Sequence, residues 1–285
     1  MDRRAARRPT APVGNLLREW RAARRLSQLD LAISAGISAR HLSCVETGRA
    51  QPGRDTLARI ADALEMPLRE RNALLLAAGY APGYPESPLG APELAGMQRA
   101  IEFILAQQEP YPAFVINRHW GVLSANGGAE RVNRFVLGGR SSAHRNIVRQ
   151  FFDPADLRPA LANWEEVARE IIHHLHDHVA STPTDRAARA LLEEALGYPG
   201  VPAHWRVRDL STAPSPLLTT VLRRDDIELR FFSTITTFAV PRDVTLAELH
   251  VECCFPVDDA TATHCRRLAS AVDGETAGVG ETAGA

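Results

Sequence analysis

The chain has 285 residues, 45% of them apolar and 24% charged, with a formal net charge of −1. At roughly 100–200 residues per domain this is ordinary globular material for two domains, and it excludes both a polybasic nucleic-acid coat and an acidic tail protein. The charge is uneven: residues 1–80 carry 14 Arg against 8 Asp and Glu, and residues 81–285 carry 19 Arg against 26, so a basic part suited to a polyanion precedes an acidic remainder.

All 33 cationic side chains are arginine, so every cation is a planar, always-charged fork. The cysteines Cys44, Cys253, Cys254 and Cys265 form no CxxC pair and no disulfide framework. Reduced thiols in a cytoplasmic protein are therefore expected. No apolar run approaches the roughly 20 residues that span a bilayer. The arginine pairs near the N-terminus precede no hydrophobic stretch, so neither a signal peptide nor a membrane partner is expected.

Residues 1–12, rich in Arg, Ala and Pro, are expected to be a disordered arm. An almost continuous helical pattern follows, with short breaks that predict helices over 14–25, 28–34, 39–46, 54–64 and 68–78. Ser27 and Ser38 stand where a hydroxyl caps free helix N–H groups. The Pro- and Gly-rich stretch after residue 79 reads as a linker over 81–95, between an all-helical domain at 13–80 and a second domain at 96–272. The second domain predicts helices over 94–108, 127–137, 164–179, 185–196 and 259–271. Its strand candidates are 113–118, 120–125, 217–222, 228–240 and 246–255, which makes it α+β with an antiparallel sheet. The repetitive tail at 273–285 lacks core residues and is expected to be disordered.

The stretch SQLDLAISAGISARHLSCVETGRAQPGRDTLARIADAL has the spacing of a helix-turn-helix. Leu31, Ile37, Leu42 and Val45 supply the core, Ala32 is small where two helices approach, and Gly36 stands where the turn needs a positive φ. Over roughly residues 13–66 the sequence resembles the XRE/Cro-repressor type of helix-turn-helix domain. The resemblance implies double-stranded DNA as partner and base contacts from the start of the third helix: Ser38, Ala39, Arg40, His41 and Cys44. Arg40 has the fork that holds guanine O6 and N7 together. Ser27, Gln28, Arg49 and Arg54 fall where phosphates are touched. Arg21 and Glu46 fall where the family carries a scaffold ion pair. A homodimer on an inverted repeat is expected.

The stretches RERNALLLAAGYAP, EPYPAFVINRHWGVLSANGGAERV, ANWEEVARE and LRFFSTITTFAVPRDVTLAELHVECCFPVDDATA resemble, in order, the MmyB-like ligand-binding domain, which is PAS-like. Two positions depart from the family pattern: Ala239-Val240 stands where a Gly precedes the Pro, and Cys254 replaces an aromatic. The resemblance implies a small-molecule sensor whose effector is apolar or fatty-acid-like, with Phe114, Trp120, Trp164, Ile172, Phe232, Ile235 and Phe238 as pocket walls. Strand alternation puts Phe232, Thr234, Thr236 and Phe238 on one face and Phe231, Ser233, Ile235 and Thr237 on the other, without saying which face meets the helices. The alternative is a domain that binds no ligand and serves as a dimerisation or protein-partner module. The run His173, His174, His176, Asp177, His178 supplies only half a tetrahedral metal site and reads as a solvated helix, so no metal is expected. Asn126 reads as a cap. There is no P-loop, GxSxG, HExxH or GxGxxG, and no enzyme is expected.

Overall fold

A computed structural model of the chain describes residues 12–208, 217–239 and 241–278, with side chains described through Ala271. The helices in chain order are α1 (Pro12–Ala23), α2 (Gln28–Ser34), α3 (Ala39–Glu46), α4 (Arg54–Ala63), α5 (Leu68–Ala77) and α6 (Ala95–Gln107). Strands β1 (Ala113–Asn117) and β2 (Val122–Ala125) follow, then α7 (Gly127–Val136), α8 (Ile147–Phe152), α9 (Trp164–Ser181) and α10 (Arg186–Gly197). The last elements are β3 (Thr219–Arg224), β4 (Ile227–Thr236), α11 (Val244–Ala247), β5 (Leu249–Pro256) and α12 (Asp259–Gly278).

The described residues divide into two compact units. The first runs through Ser87 and takes in two distant segments, Asp177–Arg189 and the one ending at Ala247. Its five N-terminal helices fall almost residue for residue where the pattern predicts them. Leu17, Trp20, Leu31, Leu42, Leu57 and Ile60 are fully buried in its core. The sequence signals act as expected. Ser27 accepts from the Asp30 N–H while Asp30 reaches back to the Ser27 N–H, a capping box. Ser38 accepts from the His41 N–H. Gly36 has φ +62°, and the turn between α2 and α3 closes on it. The distant segments attach by specific bonds: Thr184 Oγ1 donates to Glu70 Oε2 at 2.7 Å, Val244 N–H to the Pro85 carbonyl at 2.8 Å, and Ser87 N–H to Asp243 Oδ2 at 3.1 Å.

The second unit is built on a five-stranded antiparallel sheet in the order β2-β1-β5-β4-β3. One face carries Ala113, Val115, Leu249, Val251 and Cys253, which pack with Ile101 and Leu105 of α6. The opposite face carries Phe231 and Leu222, which join Val132 of α7, Leu157 and Cys265 of α12. Asn126 caps α7 as expected: its Oδ1 accepts from Ala129 N–H and Ala113 N–H, both at 2.9 Å.

Three expectations need correction. Residues 246–247, expected to begin a strand, belong instead to the helical turn Val244–Ala247, because Asp243 Oδ1 accepts from the Thr245 N–H at 2.8 Å and turns the chain; β5 begins at Leu249. Strand β4 ends at Thr236, the last residue of that strand paired with β5. Helix α12 continues to Gly278, into the tail expected to be disordered. Once its packed turns exist, each added residue forms a hydrogen bond without a new nucleation cost. Residues 1–11 and 279–285 lie outside the described residues.

Candidate nucleic-acid interface and ligand cavity

The start of α3 is where the first unit offers side chains to the outside. Arg40 and Ser38 are exposed, Ala39, His41 and Cys44 are half-buried, and Leu42 and Val45 point into the core. A helix that buries every third or fourth residue leaves the intervening ones on one solvent face, and here that face holds the five residues expected to meet bases. Around it, Arg49 is exposed at the end of α3. Ser27 spends its hydroxyl on the capping box. The Gln28 amide donates to Glu46 Oε2 at 2.7 Å, which fixes its orientation at the start of α2. Arg54 stacks over the Tyr80 ring at 5.1 Å and donates to the Ala81 carbonyl, so it also secures the chain leaving α5.

Glu46 is fully buried and does not face this surface; Arg21 holds it through two bonds, Nε to Oε1 at 2.8 Å and Nη2 to Oε2 at 3.0 Å. That hydrogen bond raises the Arg21 pKa above its ordinary value.

The second unit encloses a cavity of about 300 Å3. Its floor is the sheet face formed by Phe114 of β1, Thr220 and Leu222 of β3, Phe231, Ser233 and Ile235 of β4, and Glu252 and Cys254 of β5. Helices α7, α8 and α9 cover it through Val132, Ile147, Phe151, Val167 and Ile171. Trp120 enters from the turn between β1 and β2, where it holds φ +62°. Such a conformation costs a non-glycine residue on the order of 1–2 kcal/mol, and the neighbouring bonds of the turn hold it in place.

Of the residues expected to form pocket walls, Phe114, Trp120 and Ile235 line this cavity, and Trp164, Ile172, Phe232 and Phe238 do not. The Trp164 indole N–H donates to the Phe151 carbonyl at 2.8 Å. Ile172 turns toward a shallow surface pocket with His173 and His176. Phe232 stacks on Phe255 at 5.3 Å between ring centroids, and Phe238 packs with the α6 cluster, both on the other side of the sheet. Alternation separated Phe231, Ser233 and Ile235 from Phe232 correctly; the helices covering the first set decide which is the cavity face. Pattern reading missed the polar residues of the floor. Strand parity in β5 could have found Glu252 and Cys254, since both lie opposite in phase to the buried Val251 and Cys253.

The histidines of α9 take separate partners. His174 Nε2 lies 3.4 Å from Glu170 Oε1, His176 Nε2 lies 2.8 Å from the Trp205 carbonyl, and His178 Nε2 lies 3.2 Å from Asp185 Oδ2.

Residues 97–268 match the MmyB-like transcription regulator ligand binding domain family. The chain belongs to this family. Residues 12–74 match a helix-turn-helix domain, so a helix-turn-helix domain precedes an MmyB-like ligand-binding domain in this chain. RghRB of Bacillus subtilis (strain 168), described as an uncharacterized HTH-type transcriptional regulator, is 37% identical over 93 residues, which is 32% of this chain and 63% of the relative's length. Among solved structures, an RNA-binding light-oxygen-voltage receptor aligns at 12% identity with a TM-score of 0.25, covering 93% of this chain and 64% of that one. Among the described residues no helix is long and apolar enough to cross a membrane.

Proposed function

We propose that the first unit binds a specific double-stranded DNA operator in the cytoplasm, as a homodimer on an inverted repeat with half-sites roughly 34 Å apart. Helix α3 lies in the major groove with Ser38, Ala39, Arg40, His41 and Cys44 toward base edges, and Arg40 reads a guanine. Ser27, Gln28, Arg49 and Arg54 set the register on phosphates. The second unit holds a small, largely apolar effector, with a body like the chain of a fatty acid in its fit to the walls. The effector regulates by binding the DNA-competent and incompetent states unequally. The reading assigns no catalytic step to either unit.

The observation that carries the sensing half is the cavity of about 300 Å3 between sheet and helices, with aromatic and aliphatic walls and a few polar groups converging on it. That is the usual make-up of a small-molecule site. Operator selection from random duplexes, repeated on protein stripped of any co-purified ligand and on protein saturated with it, tests the whole reading. The expected result is one enriched palindromic motif whose affinity changes with the ligand. Binding with no preference over random duplex overturns the operator, and an affinity indifferent to the ligand overturns the sensor.

A further inference from the structure

The cavity has a polar pole that its walls leave incomplete. Glu252 projects from β5 into the cavity, flanked in the sheet by Phe114 of β1 on one side and Ile235 of β4 on the other. Its Oε2 is out of reach of solvent and has no hydrogen-bond partner. A buried acceptor without a partner is costly, and one facing a cavity is satisfied by whatever fills it. Glu170 lines the same cavity, with His174 Nε2 3.4 Å from its Oε1. No arginine is among the described residues lining this space, although every strong cation among the chain's side chains is an arginine. A carboxylate head group would meet two acids and no guanidinium there.

Resting on the effector reading above, we infer that the effector carries an amine on an apolar body, its ammonium seated against Glu252. The aromatic lining, Phe114, Trp120, Phe151 and Phe231, supplies π faces that attract an organic cation once it leaves water. An ammonium also favours the charged carboxylate that burial alone disfavours at Glu252. The Ser233 hydroxyl bonds the same carboxyl and shares the load.

The test is titration calorimetry of the full chain with three probes of equal length, octylamine, octan-1-ol and octanoate, each below its micelle concentration. Octylamine is expected to bind at one site, at least about 10-fold tighter than octanoate and tighter than octan-1-ol. Glu252→Gln is expected to weaken octylamine at least about 10-fold and to change octan-1-ol less than about three-fold. The variant also controls for the general attraction of an acidic unit for cations. Octanoate or octan-1-ol binding as tightly as octylamine, or an amine preference that survives Glu252→Gln, overturns the head-group assignment and leaves the cavity reading standing. Failure of all three probes to bind overturns the cavity reading and the head group with it. The ranking on the unmodified chain decides the matter even if the variant does not fold.

Discussion

Arg21 grips Glu46 with two parallel hydrogen bonds, 2.8 and 3.0 Å long, and Gln28 adds a third at 2.7 Å to the same carboxylate. One buried acid thereby ties α1, α2 and α3 together. Glu46→Ala removes the shared acceptor and leaves a guanidinium and an amide without it, a loss of about 3 kcal/mol for breaking a buried pair. Urea unfolding should show the drop. Operator affinity should fall in parallel and recover at temperatures where the variant is fully folded.

Gly14 lies under α3. A Cβ placed there would overlap the Glu46 carbonyl oxygen, so α1 and α3 would have to separate. Alanine gains about 1 kcal/mol of helix propensity over glycine. Forcing two backbones apart costs more, and Gly14→Ala is expected to destabilise by about 1–3 kcal/mol net. A thermal melt that rises instead would refute the close approach.

The two exposed arginines of the α3 region are expected to behave differently. Arg40→Ala should lose discrimination at one base-pair position by about 1–3 kcal/mol and affect other positions little. Arg49→Ala should weaken every duplex alike and lower the salt slope of binding by about one. Binding curves on single-base operator variants at three salt concentrations separate the two patterns.

The thiols report on burial. Cys265 is fully buried, and burial pushes its pKa up to about 11; Cys253 and Cys254 are raised too, by burial and by neighbouring Glu252. Because the thiolate is the reactive species, none of the three should take iodoacetamide at pH 8 in the folded protein. Cys44, half-buried on the outer face of α3, should take a single label, and bound operator should slow it. Mass spectrometry of tryptic peptides gives the count and the site.

Burial raises the Glu252 pKa above its ordinary 4.5. A carboxyl with a raised folded pKa holds its proton more tightly in the folded chain. It therefore costs nothing below the unfolded value and lowers stability progressively as pH rises from there to the folded value. Glu252→Gln lacks this cost. The variant's melting temperature relative to the unmodified protein should climb as pH rises above the ordinary carboxyl range near 4.5, in the absence of ligand. A constant difference across that rise would mean that Glu252 is not held in a desolvated site.

The five helices of the first unit were legible because their signals are local. Apolar periodicity, the Ser27 and Ser38 caps, and a glycine at the Gly36 turn each act within a few residues, and the same signals gave the strands of the second unit to within a few positions. Helix α8 was missed. It has only six residues, and the Asn146 cap before it is its sole local mark. By itself, then, the sequence determined the order of the elements other than α8 and α11, the helix-turn-helix with its outer face at Arg40, and the parity of β4. Tertiary structure decided the rest. Parity divides a strand into two faces, but only the packing of α6 on one side and of α7, α8 and α9 on the other assigned Phe232 to the α6 side and Glu252 to the cavity. Likewise, the bonds from Thr184 to Glu70 and from Ser87 to Asp243 join residues more than a hundred positions apart, and no periodicity in a linear chain carries information over that separation.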